Sequence, residues 1–346
     1  MFFASDNAGP VHPKILQGLA EANEGYAFGY GSDPLTTAVR DRIREIFEAP
    51  EAAVYLVATG TAANSLALAT LCSPWETIFC SPVAHIHEDE CNAPEFYSGG
   101  AKLTLVPGGD KMTPEALRMA IAGEETRGVH GPQRGAVSIT QVTERGGVYS
   151  LDALRALTGV AKEFDLPVHL DGARFANALV ALDCTPAEMT WKSGVDAVSF
   201  GGTKNGCMGV EAVIFFDPAK AWEFELRRKR GAHLFSKHRY LSAQMAAYLA
   251  DGLWLDTARQ ANAGCARLAE GLARTGAQLL HPAEANMIFA SFPRRIHRRL
   301  HDAGAQYYVW EGSLEGDDPE EMLAARLVCD WAIDAQRIAE FLAHFE

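Results

Sequence analysis

Short apolar runs alternate with longer segments of helical periodicity over the first two thirds of the chain. The run AAVYLV (52–57) leads through TGTAAN into a helix that reaches Leu71. ETIFC (76–80), KLTLV (102–106), GAVSITQV (135–142), LPVHLDG (166–172), VDAVSFGG (195–202) and GVEAVIFF (209–216) read as further strands. Between them, apolar residues recur at helical spacing. Val39, Ile43, Ile46 and Phe47 follow the start Asp33-Pro34, where Pro suits a first helical turn. Another helix runs from about Ser150 to Phe164, and one begins after Arg174. Strands alternating with helices predict right-handed βαβ units. The fold class is therefore α/β, with a mainly parallel seven-stranded sheet flanked by helices.

The segment 218–250 reads as helical and contains the basic stretch RRKRGAHLFSKHR (227–239). Beyond about 252 the texture changes. A long helix leads to three strands, MIFASF (287–292), QYYVW (306–310) and ARLVC (325–329), with helices between and after them. That is the pattern of a smaller α+β domain. The sequence thus predicts a large domain over 1–250, with the N-terminal segment, and a small C-terminal domain over 251–346. A length of 346 residues, 48% of them hydrophobic, suits two cores.

Charge and cysteine usage narrow the function. Thirty-one basic against 44 acidic residues give a net charge of −13, which argues against a nucleic-acid footprint. No run of 18 apolar residues predicts a membrane span. The N-terminal MFFASDNAGP has no basic region ahead of an apolar stretch, unlike a secretory signal. Seven cysteines, with no C-x-x-C pair, read as reduced thiols of a cytoplasmic protein.

Four features carry candidate chemistry. Thr59-Gly60-Thr61-Ala62 joins a strand to a helix, and a small-residue turn opening a helix offers free N–H groups to a phosphate. Such turns also carry Gly for steric reasons alone. In His169-Leu170-Asp171-Gly172-Ala173-Arg174, Leu170 should face the core while Asp171 reaches the sheet end, where ligands of parallel sheets bind. A carboxylate there can hold a protonated pyridine nitrogen, although a helix-capping Asp with a surface Arg is the common alternative. In Ser199-Phe200-Gly201-Gly202-Thr203-Lys204-Asn205-Gly206, a Lys at a strand tip is poorly hydrated, which frees its nucleophilic amine. In SPVAHIHEDE, His85 could stack on a flat cofactor ring; a loop His or a metal ligand with His87 are its other readings. A P-loop and a dinucleotide G-x-G-x-x-G are both absent.

The order of phosphate turn, stacking His, Asp and Lys is the layout of aspartate-aminotransferase-like pyridoxal-phosphate enzymes. More closely, FASDN (3–7), GTAANSLAL (60–68), AHIHEDECNAPEF (84–96), HLDGAR (169–174) and SFGGTKNG (199–206) resemble the low-specificity L-threonine aldolases over essentially the whole chain. The resemblance implies that Lys204 carries pyridoxal 5'-phosphate as a Schiff base and that Asp171 pairs with the ring nitrogen. His85 would stack on the ring and assist proton transfer. Gly60, Thr61, Ala62 and Thr203 would line the cofactor, with Gly60 and Thr61 on its phosphate. Arg174 would lie near its phenolic oxygen and the substrate carboxylate, while Ser5 and Arg326 would hold that carboxylate. Tyr30 and Arg239 match positions that the family supplies across a subunit interface, implying a homo-oligomer, a dimer at least and a tetramer by family habit. No metal is implied.

The implied reaction is reversible cleavage of L-threonine, L-allo-threonine and related β-hydroxy-α-amino acids to glycine and an aldehyde. The small-molecule amino acid and aldehyde are the partners. One departure stands out: Glu144 occupies a place where many family members have a His. The base is thus a carboxylate, His85 or a water they hold. Other pyridoxal-phosphate lyases, acting on phenylserine or by β-elimination, are the nearest alternative, since one fold hosts many chemistries. A cofactor-binding regulator would need a fused DNA-binding domain, for which the sequence has neither the length nor the charge.

Overall fold

Seven of the apolar runs pair into a single sheet. A computed structural model, which describes residues 1–345, places β1 (Ala53–Val57), β2 (Glu76–Cys80), β3 (Lys102–Leu105), β4 (Gln133–Thr140), β5 (Val168–Gly172), β6 (Ala197–Gly201) and β7 (Glu211–Phe215) in the order β1-β7-β6-β5-β4-β2-β3. All run parallel except β7, which is antiparallel to both β1 and β6. β1, β5, β6 and β7 are buried along their whole length. Helices cover both faces, so these strands are buried on both sides instead of alternating.

The flanking helices start where side chains cap them. Asp33, Thr59 and Ser150 accept hydrogen bonds from the N–H groups of Thr36, Ala62 and Ala153. The segment 218–250 departs from a continuous helical reading. Helix Ala221–Arg230 stops at Gly231-Ala232, where Ala232 takes a φ of 63°, and helix Arg239–Leu249 begins only after a loop. A Cβ on Gly231 would crowd Tyr97 and the Arg227 carbonyl, and the left-handed Ala232 that follows cannot continue the helix.

The second sheet is antiparallel, in the order β10-β11-β9-β8, from β8 (Gln278–Leu279), β9 (Met287–Pro293), β10 (Tyr308–Glu311) and β11 (Met322–Val328). Three of these match sequence-predicted strands. β8 escapes the pattern because its two residues are both exposed and carry no apolar period. A kink at Asp251 (φ 52°) precedes helix Leu253–Arg274. This helix serves both bodies: Trp254 and Ala258 pack in the large core, Cys265, Leu268 and Leu272 in the small one. The N-terminal segment crosses over as well, with Phe2 bridged to Gln306 and Phe3 buried in the small core.

An aromatic cluster anchors β6. Phe200 is fully buried and packs at 5.3–5.6 Å from Phe175, Phe47 and Trp254. Phe200→Ala should lower unfolding stability by about 3–5 kcal/mol, read as a shift in the denaturant midpoint. A loss below about 1 kcal/mol would show that the cluster does not anchor the strand.

Candidate active site

Five strands of the large sheet end on one rim, and each delivers a polar group there. β1 leads to Gly60 and Thr61, β2 to His85, β4 to Glu144, β5 to Asp171 and Arg174, and β6 to Lys204. Two adjoining cavities lie over this rim, with volumes of about 360 and 340 Å³, and Asn7, His85 and Lys204 line both.

The smaller cavity is walled by the turn Thr59–Thr61, Asn64, Glu90, Thr203 and Glu211. Thr59 takes up the N–H groups of Ala62 and Ala63 through its hydroxyl and carbonyl. The N–H groups of Gly60 and Thr61 stay free at the N-terminus of helix Gly60–Leu71, where the dipole favours an anion. A Cβ on Gly60 would meet nothing within 4 Å, so the turn opens onto space. Ala62 does not line this cavity; its N–H belongs to Thr59 and its side chain packs in the core.

Asp171 is buried behind the wall. Its Oδ1 accepts from the Ala173 N–H at 3.0 Å and its Oδ2 from Asn64 Nδ2 at 2.9 Å. The same Asn64 amide donates to Glu90 Oε1 at 3.0 Å. Burial, with Asp171 adding its negative charge, pushes the Glu90 carboxyl up to about 8. Asn64 Oδ1 and Glu90 Oε2 are buried without partners, as expected of polar atoms that face a ligand. Neither residue was singled out from sequence. Asn64 lies one turn into GTAANSLAL, but Glu90 sits among His85, His87, Glu88 and Asp89 with nothing to distinguish it.

Lys204 is half-buried in the short 3-10 turn Thr203–Asn205. Loss of hydration and the Arg174 guanidinium hold its ammonium below the usual lysine range, against the opposing pull of Asp6, Glu144 and Asp171. Burial raises Glu144 above the ordinary carboxylate range despite His85, Arg174 and Lys204. The His85 Nδ1 stands 3.8 Å from Glu144 Oε1 and 3.5 Å from Asp89 Oδ2. His87 is exposed and takes no part in that cluster.

The larger cavity contains Ser5, Glu144, Arg174, Arg326, Tyr308 and Trp310. Arg174 is buried in a bidentate pair with Asp6, which sequence reasoning passed over beside Ser5. Arg326, from β11, lies over the Trp310 ring with its carbon 5.8 Å from the centroid, and makes no ion pair among the described residues. Tyr30 and Arg239 do not reach either cavity within one chain. Tyr30 is exposed under Lys229, and Arg239 bonds the Gly25 carbonyl at 3.0 Å.

An amine of weakened basicity facing a phosphate-sized turn suits a cofactor that bears both an aldehyde and a phosphate. Fold and rim together define the class of fold-type I pyridoxal-phosphate enzymes. The sequence profile of the β-eliminating lyase family matches residues 3–293. A low specificity L-threonine aldolase of Pseudomonas sp. (strain NCIMB 10558) is 40% identical over 99% of this chain and 96% of its own length. The Leishmania major threonine aldolase structure superposes with a TM-score of 0.92 at 27% identity, covering 99% of this chain and 98% of that one. A serine palmitoyltransferase from S. paucimobilis with a bound PLP–myriocin aldimine shares the fold at a TM-score of 0.70 and 15% identity, over 100% of this chain and 86% of that one. The chain belongs to the β-eliminating lyase family, in its low-specificity L-threonine aldolase branch.

The Glu90 carboxyl links stability to pH. Its pKa is raised on folding, so its contribution is fully present below the unfolded value of about 4.3 and is lost as pH rises through about 8. Melting temperatures of the cofactor-free protein should therefore fall across that window, and Glu90→Gln should flatten the fall. Parallel curves for both proteins would refute the assignment.

Proposed function

We propose that the protein cleaves L-threonine, L-allo-threonine and related β-hydroxy-α-amino acids reversibly to glycine and an aldehyde, using pyridoxal 5'-phosphate. The observation that carries this reading is the position of Lys204. Its amine lines both cavities, with the free N–H groups of Gly60 and Thr61 on one side and the Arg326 guanidinium on the other. The near-full-length likeness to the Pseudomonas threonine aldolase supports the choice of reaction.

Each residue has a role in that scheme. Lys204 would hold the cofactor covalently, Gly60, Thr61 and Thr203 would take its phosphate, and Asp171 would keep its ring nitrogen protonated. When bound, the cofactor would supply an electron sink for the cleavage of the Cα–Cβ bond. The flat imidazole of His85 would be the group that stacks on it. Ser5 and Arg326 hold the substrate carboxylate, which fixes the bond to be cleaved. Glu144 and His85 hold the proton of the β-hydroxyl. Glu144 faces Lys204, Arg174 and His85, and by the resemblance it stands where many family members have a His.

Tyr30 and Arg239 belong, on this reading, to the site of a second copy, so the working unit is at least a dimer. All seven cysteines are free, which fits a reduced, cytoplasmic setting. Among the described residues no helix is long and apolar enough to cross a membrane. Tyr308 and Trp310 beside the site favour one second reading, in which the aldehyde half of the substrate is aromatic, as in phenylserine.

Incubation with threonine should release glycine and acetaldehyde in equal amounts. Lys204→Ala should lose both the visible absorbance of the bound cofactor and turnover. Near-normal cleavage by that variant would overturn the assignment. Glu144→Gln should reduce kcat by about 10²–10⁴-fold if the carboxylate handles the proton. Pyruvate as the main product would point to β-elimination instead.

A further inference from the structure

Three arginines line the larger cavity, Arg145, Arg174 and Arg326, and the structure treats the last two differently. Arg174 Nε donates to Asp6 Oδ2 at 2.7 Å, and its Nη2 donates to Asp6 Oδ1 at 3.0 Å. Both side chains are buried. Asn286 adds a third donor to Asp6 Oδ2 at 3.1 Å while also bonding the Cys329 carbonyl at 2.9 Å. Burial alone would raise the Asp6 carboxyl, but Arg174, Lys204 and Asn286 outweigh it and keep it ionised. The matching effect on Arg174 holds its guanidinium firmly charged. The pair is neutral as a unit, and one edge of Arg174 is spent.

Arg326 has no such partner. Its Nε meets only the Met287 sulfur at 3.4 Å, and its ring contact is Trp310. Loss of hydration, with Arg174 adding repulsion, weakens its hold on its proton. A half-buried guanidinium without a counter-charge attracts an anion strongly.

We propose that Asp6 is a positioning residue: it fixes Arg174 by its Nε–Nη2 edge and cancels its charge, so that the substrate carboxylate docks on Arg326. Arg174 then presents only its Nη1–Nη2 end to the cavity, in one orientation. Without Asp6, Arg174 would be released to compete with Arg326 for one carboxylate, and part of the bound substrate would lie in an unproductive pose. Asp6 also offsets the effect of Arg174 on Lys204. The other groups facing that amine are Glu144 after β4, Asp171 on β5, Glu90 and His85 after β2, and Glu211 on β7.

The inference rests on the proposed aldolase site and is tested separately from it. In the holoenzyme, Asp6→Asn should lower kcat for threonine at least tenfold while KM moves by less than about threefold, the signature of lost positioning. The pH at which the Lys204-linked visible band titrates should fall by about one unit, because Arg174 acts unopposed. The double variant Asp6→Asn with Arg174→Gln should return that titration to its original position, though not the activity. Should Asp6→Asn fail to fold, Asn286→Ala removes one donor from Asp6 and should shift kcat and the titration the same way, by less. An unmoved titration with kcat within about twofold overturns the proposal, as does a shift that the double variant leaves in place. Failure of the unaltered chain to release glycine would sink the aldolase reading instead, and leaves the titration readable.

Discussion

Everything at the rim depends on charge balance in a place with little water. Lys204, Arg174 and Arg326 stand within reach of Asp6, Glu144, Asp171 and Glu90, and hydration cannot absorb a mismatch there. Each group's protonation is set by its neighbours more than by its own chemistry. The amine is held less basic, the Glu144 and Glu90 carboxyls are pushed up, and Asp6 is held low beside Arg174. A site so poised suits an amine that must attack and carboxyls that must exchange protons.

The fold holds these charges at fixed separations. Parallel strands buried on both faces end at a common level, so each loop starts from a rigid point. The fully buried Phe200 cluster fixes the strand that carries Lys204. The small sheet contributes Arg326 and Trp310 from β11 and β10, so one wall of the larger cavity comes from the other body. Helix Leu253–Arg274, shared between both cores, sets how those halves meet.

The fold was legible because its signals are strong and local. Buried strands between helical periods mark the α/β sheet, and the glycine-rich ends of β5 and β6 mark Asp171 and Lys204. Two small elements escaped, each for a physical reason. β8 is two exposed residues, and the interruption at Gly231-Ala232 turns on the left-handed backbone of Ala232, which the helical spacing on either side masks. In the site, residues on motif positions were readable, while Asp6, Asn64 and Glu90 were not. Their importance comes from partners 168, 107 and 26 positions away, and a lone acid or amide carries no mark of such distant pairing. Ala62 shows the converse: it sits within the turn motif, yet its N–H is already spent on Thr59.

The N-terminal crossing bears on how the molecule is made. Phe3 donates its N–H to Gln306 and receives one from Val328, and its ring is buried in the small core. Asp6, three residues on, reaches Arg174 only when that strap is seated. The strap closes a loop of roughly 300 residues, so it is among the last contacts a growing chain can form. Until β10 and β11 have been synthesised, the strap has no seat, and nothing holds Asp6 in its bidentate pair with Arg174. A nascent or truncated chain would thus carry the whole large sheet, and even the lysine, without a competent centre.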